Sequence, residues 1–144
     1  MLYDLINSKK YQNFSSSQIK ELIKFLIDQD EEFSLTANIK GVNFNPIIPK
    51  TISKHFSQFT LFTLANYTYE SLYVDEKFIS FEAGFGSENF GSVCTIPYHA
   101  IFQISIDNSI LFINPSATVE KNFIKDEDED KQKKRSMNAF KLNK

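Results

Sequence analysis

Residues 78–113 carry the pattern that decides the fold: FISFEAGFGSENFGSVCTIPYHAIFQISIDNSILFI. Apolar and β-branched residues recur in this stretch at intervals of two, which is the period of a β-strand. Gly84, Gly86 and Gly91 interrupt the pattern, and it restarts after Pro97. We therefore predict three or four antiparallel strands that fold back on one another into a small, strongly bent, barrel-like sheet.

Small side chains occupy part of this stretch, where a strand normally carries bulky ones. Residues 81–86 read Phe-Glu-Ala-Gly-Phe-Gly. A strand without bulk on one face lets another backbone come close to it. We expect a groove for an extended peptide at this place.

Further strands are predicted before the central stretch. Residues 33–44 alternate as a strand with a turn inside them, and a loop should follow because Pro46 cannot donate a ladder hydrogen bond. Residues 59–64 are apolar enough for a buried strand. Turns are expected at residues 75–77 and at Asp107-Asn108.

One amphipathic helix is predicted from Ser15 to Asp30. Ser15 and Gln18 have the spacing of a capping box. The apolar residues that follow at helical spacing are Ile19, Leu22, Ile23 and Leu26. Phe25 and Ile27 widen the apolar surface, so the helix has either a second apolar side for another subunit or one broad side in a single core. Helix and strands together predict an α+β fold.

The 144-residue chain is long enough for one domain with a core of its own. We divide it into an N-terminal segment (1–14), a folded domain (15–120) and a charged tail (121–144). Residues 126–130 are all acidic, and four of the next five are basic. A segment with so little to bury should be a flexible linker.

Few residues could support catalysis. The chain has two histidines, and His99, just after a proline, is more typical of a structural or surface histidine than of a general base. Cys94 has apolar neighbours in a strand, which favours a buried, unreactive thiol. The chain has too few cysteines and histidines for a zinc site. We predict a protein that is not an enzyme and needs no metal or cofactor.

Charge and hydropathy indicate neither a membrane nor a nucleic-acid surface. The formal net charge is −2, and no window approaches the roughly eighteen apolar residues of a membrane span. The start of the chain lacks a signal-peptide pattern, and a single cysteine cannot form an intramolecular disulfide. A cytoplasmic location is the expectation.

Two alternatives of other classes stay open. An RNA-binding Sm-like or OB-like barrel is the first, because Phe81, Phe85 and Phe90 could stack on bases, although a basic stripe is missing. A hydrolase with an unrecognised site is the second and weaker one.

From residue 59 to residue 115 the order of features resembles the SspB family, bacterial adaptors that deliver ssrA-tagged proteins to the ClpXP protease. Thr63-Leu64-Ala65-Asn66 is similar to the family's strand ending in Ala-Pro, and residues 81–86 are similar to its Phe-Asn-Ala-Arg-Phe-Gly. Residues 93–101 resemble its Val-Ser-Val-Pro-Leu-Ala-Ala-Val, and residues 112–115 resemble its closing Phe-Glu-Pro. With Leu26-Ile27-Asp28, which resembles a Leu-Leu-Asp of the family's first helix, the resemblance covers most of residues 15–117.

The resemblance implies three functional surfaces. The groove for the tag peptide would be formed by Ala65, Asn66, Ser80, Glu82 and Ala83. The helix would pair two subunits into a homodimer through Phe25 and Ile27. The tail would end in a motif that docks on ClpX, an AAA+ unfoldase, and the residues that match this motif in kind are Phe140, Lys141, Leu142 and Lys144.

This sequence departs from the family at the implied groove. Ser80 stands where the family often has an arginine, and Gly84 replaces a second arginine. The hairpin carries about two extra residues between Ser87 and Ser92. These differences would alter the affinity for the family's standard tag.

Overall fold

The computed structural model describes residues 1–119, which form an α+β fold with one long N-terminal helix and two antiparallel sheets. The helices are α1 (Leu2–Ile6), α2 (Lys9–Asp28), α3 (Lys50–Ser53) and α4 (Tyr67–Glu70). The strands are β1 (Phe33–Asn38), β2 (Asn43–Asn45), β3 (Phe59–Leu64), β4 (Tyr73–Val74), β5 (Phe78–Phe85), β6 (Phe90–Pro97), β7 (Ile101–Ile106) and β8 (Ser109–Ile113). Short 3₁₀ turns lie at Ile39–Gly41, Tyr98–Ala100 and Pro115–Thr118. The predicted α+β class is confirmed.

The two sheets do not close into a barrel, so that part of the prediction is wrong. The first sheet has the strand order β3-β1-β7-β8, and the second has β2-β6-β5-β4. Residues 78–113 form four strands, as predicted, but β5 and β6 belong to the second sheet and β7 and β8 to the first. The separation occurs at Tyr98–Ala100, where a 3₁₀ turn ends the pairing of β6 and carries the chain across to β7.

The long helix α2 begins earlier than predicted. Ser8 is its N-cap, and the Ser8 side chain accepts a hydrogen bond from the Tyr11 backbone N–H at 3.2 Å. The predicted start at Ser15 is wrong, because Ser15 is buried inside the helix. The helix ends at Asp28 rather than Asp30, since Asp30 has a φ of 53°, which a right-handed helix cannot contain.

One side of α2 packs into the core between the helix and the sheets. Its residues that are buried there are Ile19, Ile23 and Leu26, and Leu22 and Ile27 are partly buried against them. Phe25 is 58 % exposed. The alternative in which all six apolar residues share one core is therefore wrong for Phe25.

Strand β3 was predicted to be buried, and it is instead an edge strand of the first sheet. Its outward-facing Leu61 and Thr63 are exposed, while Phe62 and Leu64 between and beside them are buried. An edge strand covered on one face needs apolar residues only on that face. The sequence predicted a buried strand because Phe59 and Leu61 are apolar, but these two residues lie on the outer face of the sheet.

The predicted turns are confirmed. The side chain of Asp75 accepts hydrogen bonds from the backbone N–H groups of Lys77 and Phe78, which closes the first turn. Asp107 and Asn108 have φ values of 50° and 64° and join β7 to β8, as a two-residue hairpin loop requires.

Large apolar and aromatic side chains form the core. Phe81 is 1 % exposed, and its ring lies 5.5 Å from that of Phe62. Burying a side chain of this size contributes roughly 1.5–3 kcal/mol. Cys94 is also in the core, so its predicted burial is confirmed. Burial raises the pKa of its thiol to about 12.

Within residues 1–119, none of the helices combines the length and the apolar character needed to span a bilayer.

Candidate functional site

An open cavity of about 760 Å³ lies where three segments of the chain meet. It is lined by residues 45–46 at the end of β2, 65–68 between β3 and α4, and residues 82–84, 89 and 91–93 of the β5–β6 hairpin. Clefts of about 300–1,000 Å³ are the usual size for ligand sites. The cavity overlaps the small-residue stretch for which the sequence predicts a groove.

Small residues of the β5–β6 hairpin line part of this cavity. In the β5–β6 hairpin Gly84 lies opposite Gly91, and Ala83 lies opposite Ser92. A Cβ added at Gly91 would meet no atom within 4 Å, so the space above that residue is empty. At Gly84, in contrast, the Asn89 side chain occupies the place of a Cβ. Another chain could therefore come close to the backbone at Gly91.

Pro46 is held against the hairpin by a hydrogen bond from the neighbouring strand. The Ser92 hydroxyl donates to the Pro46 carbonyl at 2.9 Å. The predicted loop after β2 is confirmed, because β2 ends at Asn45 and the chain leaves the sheet at Pro46. This contact positions the part of the cavity lining that β2 and Pro46 supply.

Another residue of the cavity lining has an unusual backbone conformation. Asn66 has φ 54° and ψ −126°, and its N–H donates to a carboxylate oxygen of Glu32 at 2.6 Å. Sparsely populated backbone conformations cost about 1–3 kcal/mol and cluster at ligand-binding sites. The Glu32 carboxylate stabilises this conformation and so fixes the position of Ala65 and Asn66.

Among the described residues that line the cavity, Glu82 is the only acidic or basic one. The Tyr67 hydroxyl donates a hydrogen bond to Glu82 Oε2. That hydrogen bond and the negative charge of Glu82 raise the pKa of Tyr67, with smaller contributions from burial and from Glu70. The backbone N–H of Glu82 donates to the Ser71 hydroxyl at 2.8 Å, which ties β5 to the end of α4.

Further carboxylates surround α4. The Tyr69 hydroxyl donates to Asp30 Oδ1 at 3.2 Å. Burial raises the pKa of Tyr69, and the hydrogen bond to Asp30 and the charges of Asp30, Glu32 and Glu31 raise it further. Asp30, Glu31 and Glu32, in the segment between α2 and β1, are therefore close enough to α4 to act on Tyr69.

The structure brings four of the five implied groove residues together. Ala65, Asn66, Glu82 and Ala83 line the cavity. Ser80 does not line it, because the Ser80 hydroxyl lies 3.2 Å from the Thr95 hydroxyl within the second sheet.

Sequence reasoning missed several residues of the site. These residues include Asn45, Pro46, Tyr67, Thr68 and Asn89. Tyr67 and Thr68 directly follow Ala65-Asn66, so extending the implied groove by one turn of chain would have found them. Asn45 and Pro46 come from a distant part of the sequence, and no local pattern indicates that they meet the hairpin.

The two residues implied in subunit pairing lie on different sides of α2. Positions 25 and 27 are about 200° apart around a helix. Phe25 is exposed, whereas Ile27 borders a second cavity of about 340 Å³ between α2 and β4. Phe14 is also exposed and lies about 20° from Phe25, so the two phenylalanines share one surface.

The implied ClpX-docking residues Phe140, Lys141, Leu142 and Lys144 lie outside the described residues, as does the rest of the charged tail.

No protein-family model and no curated protein matches this chain. A functional assignment therefore depends on the geometry and charge of the cavity, together with the sequence resemblance.

Proposed function

We propose that this chain is a non-catalytic adaptor that binds a degradation-tag peptide of the ssrA type and tethers the tagged protein to the ClpX unfoldase of ClpXP. The observation that carries the proposal is the cavity and the small residues of the β5–β6 hairpin in its lining. Of the five residues at which the resemblance to the SspB family implies a groove, Ala65, Asn66, Glu82 and Ala83 line this cavity and Ser80 does not.

Two strand edges next to the cavity support binding of an extended peptide. β2 and β3 are each the last strand of their sheet, and the cavity is lined by residues at or just beyond their ends. The outer backbone groups of an edge strand can pair with an added chain, and pockets beside the edge then accept alternate side chains. A peptide laid in the cavity would therefore gain both backbone hydrogen bonds and side-chain contacts.

The chemistry of the lining favours binding over catalysis. Neither histidine nor cysteine is found among the described residues that line the cavity. The raised pKa of Tyr67 makes its phenolate less available as a base near neutral pH. Glu82 is exposed, and its carboxylate accepts a hydrogen bond from the Tyr67 hydroxyl.

The RNA-binding alternative loses much of its support. Phe81 is in the core, and the ring of Phe85 lies 5.7 Å from Phe44 and 5.6 Å from Phe56. Rings that pack against one another in this way cannot stack on bases without unpacking the fold. We do not propose that function.

Delivery to the unfoldase is assigned to the tail by sequence. In this proposal Phe140 and Leu142 supply apolar anchors and Lys141 and Lys144 supply charge, while the preceding charged segment acts as a spacer. A spacer of this kind raises the local concentration of cargo to roughly millimolar without specific contacts.

A reconstituted degradation assay tests the proposal. ClpXP is given a fluorescent protein with or without an ssrA-type tag, in the presence or absence of the full chain, at substrate concentrations below saturation. The chain should accelerate loss of the tagged protein alone. Equal rates with and without the chain would contradict the adaptor function.

A further inference from the structure

We propose that the peptide bound in the cavity carries a basic side chain opposite Glu82, and that this carboxylate disfavours an acidic residue at the same position. The inference rests on the proposed function, because it names the charge of the ligand that the same cavity would hold.

The described residues that line the cavity include an acidic residue and no basic one. Glu82 contributes a carboxylate, and no lysine or arginine is found among the described residues that line the cavity. The remaining polar residues of the lining are neutral amides and hydroxyls. A cation in a bound peptide would therefore find one acceptor with full charge, and an anion would find no cation to pair with.

The Glu82 carboxylate keeps capacity for a ligand. Its Oε2 accepts a hydrogen bond from the neutral Tyr67 hydroxyl, and no ion pair within residues 1–119 involves it. A carboxylate can accept about four hydrogen bonds, so Oε1 can still accept from an ammonium or guanidinium group. The Tyr67 hydrogen bond also fixes the orientation of the carboxylate before a peptide binds.

More distant carboxylates act in the same direction. Glu32 holds the Asn66 backbone, Asp30 holds the Tyr69 hydroxyl, and Glu70 lies on α4 close enough to act on Tyr67. The fields of these groups add over several ångströms and are screened by salt. An acidic peptide side chain would therefore be repelled by several charges at once.

The preference for a basic side chain could not be predicted from the sequence alone. Glu82 lies among small residues and aromatics, and its neighbours in the chain carry no charge. Asp30, Glu32 and Glu70 come from other segments, and the fold brings them to Tyr69, Asn66 and Tyr67. Ser80 and Gly84, where the resembled family has arginines, leave this carboxylate without a basic neighbour on the strand.

Fluorescence anisotropy with a positional set of peptides tests the inference. Each probe is a labelled, extended ssrA-type peptide in which one position at a time is Lys, Gln or Glu, titrated with the full chain. At one position the Lys peptide should bind about three- to tenfold more tightly than the Glu peptide at low salt. The ratio should shrink towards one as ionic strength rises to about 0.5 M.

Three variants test whether Glu82 causes the preference for the Lys peptide over the Glu peptide. Glu82→Gln should reduce the ratio of the Lys and Glu peptides to about one, and Glu82→Asp, which keeps the charge, should restore most of it. The matched control is Glu21→Gln, which removes the same charge from the exposed side of α2 and should leave the ratio unchanged.

The outcomes separate the inference from the function on which it rests. If the peptides bind but the Glu peptide is equal or better at every position, the charge preference is wrong and the peptide site stands. If Glu82→Gln still binds the Lys peptide more tightly than the Glu peptide, a group other than Glu82 causes the preference, and the inference is also wrong. If no peptide of the set binds at millimolar chain concentration, the proposed function fails together with the inference.

Discussion

The side-chain amide of Asn89 fills the space above Gly84. An added Cβ at Gly84 would lie 1.7 Å from Asn89 Oδ1, a distance at which the two atoms overlap. Asn89 has a φ of 54° and lines the cavity, so the hairpin end folds back over the strand. Because Gly84 has no side chain, the Asn89 amide can occupy this space.

We predict that substitutions at these two positions are coupled. Gly84→Ala should destabilise the chain by about 1 kcal/mol, because the Asn89 amide must move away from the new methyl group. In an Asn89→Ala background the same change should be neutral or slightly stabilising, since alanine is preferred to glycine in a strand. Urea denaturation of the four proteins gives the coupling energy, expected at about 1 kcal/mol. Additive effects would mean that the amide does not occupy this space.

Ser80 should matter for stability and little for peptide binding. Ser80→Ala removes the hydrogen bond to Thr95, which typically contributes about 1 kcal/mol, while leaving the cavity lining intact. We expect a lower urea midpoint and an unchanged peptide dissociation constant. A change in affinity of more than about threefold without a change in stability would place Ser80 in the binding surface.

Phe25 should lie at a subunit interface. An exposed phenylalanine on the same side of α2 as Phe14 forms an apolar surface that a two-fold pairing of helices would cover. Phe25→Glu should give monomers in light scattering at tens of micromolar chain. The control Asn13→Glu places the same charge on another exposed side of α2 and should remain dimeric. A monomeric wild-type chain at this concentration contradicts the prediction.

Deletion of residues 138–144 should separate capture from delivery. The cavity lies within residues 1–119, so the truncated chain should bind tag peptide with unchanged affinity. It should lose the acceleration of degradation by ClpXP, because the proposed tether is gone. The matched control replaces acidic residues 126–130 with Ser and Gly and should retain delivery. A truncated chain that accelerates degradation as well as the full chain would refute the docking role of the tail.

Local patterns predicted most of the elements but not their grouping. The alternation of residues 78–113 predicted three or four strands, of which the structure has four, and the turn residues Asp75 and Asp107-Asn108 identified two of the loops. No local pattern shows that the strands after Tyr98 leave the second sheet and join the first. That choice depends on packing of the 3₁₀ turn Tyr98–Ala100 against α2, which is a tertiary contact.

The site was predictable where it is local. The small residues within 81–86 predicted close approach of a backbone, and the resemblance implied Ala65 and Asn66; the structure brings both segments to one cavity. Ser80 was included because of the resemblance, but it lies nearer the start of β5 than the lining residues, beside Thr95, and does not line the cavity. Pro46 and Asn89 were missed because their places in the cavity arise from contacts with Ser92 and Gly84.

Fluorescence anisotropy tests the central claim most directly. A labelled ssrA-type peptide is titrated with the wild-type chain and with Ala65→Gln, and the two dissociation constants are compared. The longer side chain should fill the cavity at its β3 wall and weaken binding at least tenfold, because a bound peptide would have to displace it. Ala65 is half-buried at the cavity rim, so the urea midpoint should stay close to that of the wild type. The control Ser109→Gln, on the exposed start of β8, should bind as the wild type does. An unchanged dissociation constant in Ala65→Gln would show that the peptide does not bind in this cavity.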